Sequence, residues 1–254
     1  MSKKQLVVDI NRYAVRFVRM IDQTPEQQFT FIFKDKTDFG YKDQLDVFLS
    51  KTDFRALDWD EYSLSWFSHK TTLLPNAVFS EIEPQKVFEL AFGKETPEND
   101  IDFNRIPEFS GVNIFEMPVW VKSFFVTRFP RMLLQNEGTH IIRGLLEGPS
   151  YRLKMVLSLQ ENHFILAAVK DTELKYYNTF DYQTVEDIIY HVAHLLQQNN
   201  WTEDNGQMSI VPFLLEENNC AKLAKDLFDK VPSFKNIKTQ IEPDLIHQYQ
   251  TLCV

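Results

Sequence analysis

The sequence predicts an α/β protein with mixed sheets in which one pattern, strand-strand-strand-helix-strand-helix-strand, occurs twice. Three observations lead there. Residues 5–34 read as three consecutive short strands running into a helix, and residues 152–198 read the same way. Strands joined by short turns must be antiparallel, while strands joined through helices are most simply parallel, so each half holds both kinds. Between the halves, residues 129–150 collect Pro130, Gly138, Gly144, Gly148 and Pro149, the composition of a connection. The division implied is 1–135 and 136–254. The same spacing also fits one α+β domain whose strand runs happen to repeat.

The first half opens with Gln5–Ile10, rich in Leu and Val. After the polar turn Asn11-Arg12, the stretch Ala14–Met20 alternates with period two, and the pair reads as a hairpin. Gln28–Lys34 follows with Phe29, Phe31 and Phe33 on one face. Asp43 is the expected cap of a helix whose apolar positions are Leu45, Phe48 and Leu49. Tyr62–Phe67 has strand character. Glu83–Phe92 is expected to be a helix with Val87, Leu90 and Ala91 inward and Gly93 ending it. Ile101–Ile106 and Val112–Phe115 are further strands, and Pro118 suits the first turn of a helix reaching Arg128. A short helix is expected over His140–Leu146.

In the second half Arg152–Leu159, His163–Lys170 and Glu173–Phe180 are strands. Thr184 with Asp187 three residues on has the spacing of a capping box. The helix it starts carries Val185, Ile188, Ile189, Val192 and Leu196 on one face and ends at Asn199-Asn200. Gln207–Val211 is a strand, Asn219–Phe228 a helix, Ile237–Ile241 a strand and Asp244–Leu252 a final helix.

A chain of 254 residues can bury roughly 70–75% of its unfolded surface. Its net charge of −9 argues against nucleic acid as a general partner, since a phosphate-tracking protein needs a basic face. No stretch reaches the roughly 18–20 apolar residues of a membrane helix, and Asp9, Asn11 and Arg12 break what would be a signal-peptide core. Cys220 and Cys253 have neither zinc nor redox spacing, and the simplest reading is reduced thiols in a cytoplasmic protein. Glycine is scarce, at 7 residues. Glycine lets backbone amides approach a phosphate closely, so its scarcity counts against nucleotide binding.

The run Leu6-Val7-Val8-Asp9-Ile10-Asn11 resembles the opening strand of the actin, hexokinase and Hsp70 superfamily, which ends Asp-x-Gly. The three-strand meander from Lys154 into the helix ending near Leu196 resembles the same fold, closest to bacterial pilus-assembly and cell-division actin-like proteins. The whole chain is similar to an uncharacterised family of Bacteroidetes proteins with an actin-like ATPase fold. Asn178-Thr179-Phe180 and Glu186-Asp187-Ile188-Ile189-Tyr190 carry that likeness. The resemblance implies two actin-like, RNase H-like subdomains.

It also implies where chemistry would sit. In the superfamily the first turn wraps the phosphates and its Asp holds Mg²⁺ through water. Here Asp9 is present, Asn11 stands for the Gly, and Arg12 stands where a hydroxyl would help. Arg12 is suited either to grip an anion as a bidentate fork or to pair with Asp9 and neutralise it. The matching positions of the second turn are Ser158 and Gln160, and neither serves as a general base near neutral pH. A shifted register would bring Glu161 into that place. The family's adenosine-contacting Gly pair corresponds to Ile210–Leu214, which has no glycine, and Gly206 lies on the wrong side of that strand.

No catalytic residue and no metal site is therefore assigned. Asp187 and His191 have i,i+4 metal-ligand spacing beside His194, but without further clustered ligands they read as a solvated face. Cys220 near Lys222 has no identifiable His partner. The run from Trp120 to Arg131 is aromatic and locally basic. Trp120, Phe124, Phe125 and Arg128 are the types that anchor interfaces, and equally the types that pack a helix between two halves. The reading that results is a non-catalytic actin-like protein acting as adaptor or scaffold for a protein partner, with no cofactor. A second reading is a divergent nucleotide-binding ATPase or phosphotransferase, which alone calls for ATP and Mg²⁺ at Asp9, Asn11, Arg12, Ser158 and Gln160. A third is a homodimer joined through an apolar surface.

Overall fold

The computed structural model describes residues 2–54, 59–81, 83–148, 152–213 and 220–252. The chain divides into two compact units, Met1–His140 with His247–Val254, and Ile141–Ile246. The last eight residues thus count with the first unit.

The first unit is built on a five-stranded sheet in the order β3-β2-β1-β4-β8. Its strands are β1 (Lys4–Ile10), β2 (Ala14–Ile21), β3 (Thr24–Ile32), β4 (Glu61–Trp66) and β8 (Leu133–Asn136). β1, β2 and β3 form an antiparallel meander, while β4 and β8 run parallel to β1. Leu6, Val8, Ile10, Phe17, Leu64 and Trp66 face α1 (Asp38–Ser50) and α3 (Val119–Arg128) across one apolar core. Phe17 stacks on Phe54 at 5.3 Å, and Tyr41 stacks on Trp120 at 4.4 Å. Aromatic rings fill the space between helix and sheet at low conformational cost.

Between β4 and α3 the chain makes a separate three-stranded sheet, β5-β7-β6, from β5 (Thr71–Pro75), β6 (Ile101–Ile106) and β7 (Gly111–Glu116). α2 (Pro84–Phe92) packs on it through Phe88, against Ile101, Val112 and Ile114. A buried amide network ties this sheet to the main one. Asn113 Nδ2 donates to Asn136 Oδ1 at 2.9 Å and to Thr139 Oγ1 at 3.1 Å, and Asn136 Nδ2 donates to the Trp66 carbonyl at 3.1 Å.

The second unit repeats the main sheet. Its order is β11-β10-β9-β12-β13, from β9 (Leu153–Leu159), β10 (His163–Lys170), β11 (Glu173–Asp181), β12 (Gly206–Pro212) and β13 (Ile237–Ile241). α5 (Val185–Gln198) and α6 (Cys220–Phe228) cover one face through Ile188, Val192, Leu196, Ala224 and Phe228. The repeat extends to irregular features. The β2–β3 and β10–β11 hairpins both turn through two left-handed residues, Asp22-Gln23 and Asp171-Thr172, the backbone of a type I′ turn. Both carry a register shift three residues before that turn, at Arg19/Met20 and at Ala168/Val169.

Gly206 begins β12 where a side chain would collide with the Leu153 carbonyl, 2.8 Å from the place of a Cβ. Close strand approach is its role. α4 (Glu137–Leu146) and α7 (Leu245–Leu252) complete the chain.

Several expectations are corrected. α1 begins at Asp38, not after Asp43, because the Thr37 hydroxyl accepts from the Gly40 N–H at 3.1 Å and supplies the earlier cap. β3 starts at Thr24. It tolerates Pro25 because it is an edge strand and the register slips there. On α2, Leu90 is 89% exposed and Ala91 is exposed, because Phe88 occupies the inward position. The short strands β5 and β8 were not expected. β8 with α4 occupies most of what reads as a connection over 129–150, and the last strand of the first half's pattern is β8, after an inserted sheet. In the second half, the expected Asn219 start of α6 lies outside the described residues.

Candidate functional site

The site builds outward from Asp9. The tight β1–β2 hairpin sets Asp9 opposite Arg16. The parallel pairing of β1 with β4 sets Asp9 beside Ser65, and that of β4 with β8 sets Ser65 beside Gln135. Arg16, Asp9, Ser65 and Gln135 thus form one continuous rung across four strands, on the face opposite the aromatic core. All four are buried, Asp9 at 1% exposure.

A buried charge must be paired and hydrogen-bonded to be tolerated. Asp9 is. Arg16 Nε and Nη2 donate to Asp9 Oδ2 at 3.1 and 2.8 Å. His247 Nε2 lies 2.5 Å from the same oxygen, and Gln250 Nε2 donates to Oδ1. Burial alone pushes the Asp9 carboxyl up, but the charges and hydrogen bonds of His247 and Arg16 outweigh it and hold the group far below the usual carboxylate range. The group is a carboxylate, which only accepts, so the His247 Nε2–H donates to it. Both Asp9 oxygens are committed to four N–H donors.

The neighbouring positions have other roles. Asn11 is buried, and its Oδ1 accepts from the N–H groups of Tyr13 and Ala14, both at 2.7 Å, which fixes the hairpin turn. Arg12 is exposed and pairs with Glu116 at 2.6 Å. The neutralising partner of Asp9 is therefore Arg16, not Arg12, because the antiparallel register sets residue 16, and not 12, across from 9. In the second unit Ser158 and Gln160 are buried. Ser158 sits opposite Ile165 and beside Val211, so it is the counterpart of Asp9. The Gln160 carbonyl accepts from Tyr182 Oη at 2.6 Å, and its N–H donates to the His163 carbonyl at 2.9 Å. Glu161 is exposed in the turn.

The aromatic run is core, not surface. Trp120, Phe124 and Phe125 are buried in the first unit's core, which removes them as interface anchors. Arg128 lies over the Phe124 ring at 3.7 Å and pairs with Asp46. Asp187 caps α5 by accepting from the N–H groups of Gln183 and Thr184, each at 2.9 Å. His191 stacks on Phe180 at 4.0 Å, and burial lowers its pKa. Neither belongs to a cluster of three metal-ligating side chains among the described residues. Cys220 is buried, and burial raises its thiol pKa. Of the adenosine-loop counterpart, Leu214 lies outside the described residues, as does Cys253.

Sequence reasoning missed Arg16, Ser65, Gln135, His247 and Gln250. Arg16 carried only a partial signal. A two-residue turn at Asn11-Arg12 sets 9 opposite 14, whereas the observed turn lies at Arg12-Tyr13, with the Asn11 N–H donating to the Ala14 carbonyl, and moves the partner of 9 to 16. His247 and Gln250 lie 238 and 241 residues from Asp9 in the chain, and no local pattern reports such a contact.

A family model described as "Protein of unknown function (DUF3822)" matches residues 1–231. The chain belongs to the DUF3822 family. Among solved structures, this DUF3822 chain is similar to a Bacteroides thetaiotaomicron protein with an actin-like ATPase fold and unknown function. The identity is 14%, the TM-score 0.77, and the match covers 98% of this chain and 96% of that one. It is also similar to the "PilM-PilN type IV pilus biogenesis complex", at 9% identity, a TM-score of 0.57, and 98% and 94% coverage. A third is the ethanolamine utilization protein EutJ from Carboxydothermus hydrogenoformans, at 10% identity, a TM-score of 0.50, and 98% and 89% coverage. No curated protein matches in sequence. The fold is that of actin-like ATPases, with two subdomains. No helix among the described residues is long and apolar enough to cross a membrane.

Proposed function

We propose that this chain is a non-catalytic member of the actin-like fold that works through a protein partner, as an adaptor or scaffold. One observation carries the reading. The carboxylate at the end of β1 has both oxygens taken by Arg16, His247 and Gln250 inside a buried network. Oδ2 alone meets three of the four N–H donors, so a metal-bound water would have to displace one of them or share Oδ1 with Gln250. Its counterpart Ser158 supplies no charge. The PilM–PilN complex offers a parallel, since there a chain of similar fold is seen in a complex with another protein.

Isothermal titration with Mg-ATP is the direct test, and no saturable binding is expected. Micromolar binding with a turnover that Asp9→Ala abolishes would overturn the reading in favour of a nucleotide-using enzyme.

A further inference from the structure

The polar rung has an occupant of its own, and the fit is partial. His247 and Gln250, one turn apart on α7, satisfy Asp9. They do not satisfy their neighbours. The hydroxyls of Ser63 and Ser65, the side-chain oxygens of Gln135 and Gln5, and Gln250's own Oε1 are buried without a hydrogen-bond partner. Ser63, Ser65, Gln135 and Gln5 lie on Asp9's side of the sheet, alternating with the core-facing Leu6, Leu64 and Leu134. Buried polar atoms are nearly always paired, and each that is not makes the closed state less favourable. Their oxygens accept, so a better occupant is one that brings more N–H donors.

We infer that His247–Thr251 is an exchangeable strap, and that the rung Arg16–Asp9–Ser65–Gln135 is a seat for a helical segment of a protein partner. That segment would carry Arg, Lys, His, Asn or Gln donors one turn apart. The inference rests on the partner-binding reading above and adds the surface and the partner's chemistry. While the strap is seated, the chain holds itself closed. A partner segment competes with it by donating to Asp9 and also to the Gln135 and Ser65 oxygens. An intramolecular occupant has a high effective concentration, so the closed state dominates until a better-matched segment arrives.

The test uses the full chain carrying His247→Ala and Gln250→Ala. The probe is a fluorescein-labelled peptide of residues 241–252, read by anisotropy beside the same peptide with Ala at both positions. The natural peptide should bind the variant chain about tenfold or more tightly than the Ala peptide does. It should also bind the variant about tenfold or more tightly than it binds the unaltered chain, whose own strap competes. Equal affinity of the two peptides overturns the inference. Should the variant fail to fold, hydrogen exchange of the unaltered chain decides. Strap amides should exchange about tenfold or more faster than those of β1, and equal protection overturns the inference. Mg-ATP added to each titration separates the two readings. Saturable binding of Mg-ATP itself refutes the non-catalytic reading, whereas indifferent peptides with no Mg-ATP binding refute the strap alone.

Discussion

The two five-stranded sheets share order, turns and bulges, yet differ at one rung. In the first unit it reads Arg16–Asp9–Ser65, and in the second Ile165–Ser158–Val211. The scaffold therefore does not need a charge there. The second sheet closes with an apolar rung and one hydroxyl. The first carries a buried ion pair, and in the first unit it is the last turn of the chain that completes the carboxylate's hydrogen bonds. A buried ion pair is weak evidence for stability, since an apolar replacement often does as well. What distinguishes the first rung is that it depends on a segment far away in sequence.

The largest expected effect breaks this comparison directly. Asp9→Ala leaves Arg16 buried without its counter-charge and should cost about 3–5 kcal/mol. Ser158→Ala, at the equivalent place, should cost about 1 kcal/mol. The double change Asp9→Ser with Arg16→Ile gives the first rung the second unit's residues at two of three positions, with Ser65 still standing where Val211 does. It should recover part of the loss, since His247 and Gln250 still lack the carboxylate. Urea unfolding followed by tryptophan fluorescence is suitable, because Trp59, Trp66 and Trp120 lie in the first unit and Trp201 in the second. Equal losses at Asp9 and Ser158 would show that the charge is incidental.

Acid sharpens the same contrast. The folded pKa of Asp9 is depressed, so its contribution is fully present above the unfolded carboxylate range and is lost as pH falls toward the folded value. Between about pH 5 and pH 2 the first unit should lose about 2 kcal/mol through this group, and Asp9→Asn should remove that part of the slope. The second rung holds no titrating group. Stability curves of the two chains against pH that run parallel would contradict the assignment. Of the same order is Gln250→Ala, which removes one hydrogen bond to a buried charge and should cost about 1.5–3 kcal/mol. The measurement is the same urea midpoint.

Legibility in the sequence followed locality. The meanders, α5 with its inward Ile188, Val192 and Leu196, and the equivalence of the two turns came from period-two and helical patterns, which neighbouring residues set. β5 of the inserted sheet and β8 of the main sheet did not come through, because they are only five and four residues long and carry little pattern. Leu90 was misplaced because its helix offers several apolar phases, and the choice among them is made by Ile101, Val112 and Ile114 from other strands. At the site, Asp9 was legible as a strand-end acid. Arg16 was passed over as one position of a period-two alternation, which alone does not reveal that a sheet is covered on both faces. His247 and Gln250 were silent, because their role exists only once the chain has folded back on its first strand.

The smallest effect compares the two units at their helix starts. α1 is capped by a hydroxyl, Thr37, whose Oγ1 accepts from the Gly40 N–H. α5 is held by a carboxylate, Asp187, which accepts from two backbone N–H groups that lower its pKa. α5 thus starts with a capping box, in which the Thr184 side chain meets the Asp187 N–H while the Asp187 carboxylate meets the Thr184 N–H, so an acidic group on the helix's own first turn joins a hydroxyl of the α1 kind. Thr37→Ala should cost about 1 kcal/mol, most of it from the Gly40 N–H cap and kept from about pH 3 to 8, with a smaller part from the hydroxyl's bond to the Asp35 carboxylate that fades in acid. The Asp187 contribution, with its folded pKa depressed, is present above the ordinary carboxylate range and fades as pH falls through it. Asp187→Asn should therefore narrow its difference from the unaltered chain in acid, while Thr37→Ala keeps most of its own. If the Thr37→Ala deficit vanished below pH 4, the α1 cap would have to run through the Asp35 carboxylate instead, which accepts from the Thr37 N–H and hydroxyl at 2.9 Å. That outcome would make both units depend on acidic caps, and the contrast between them would shrink to the rung alone.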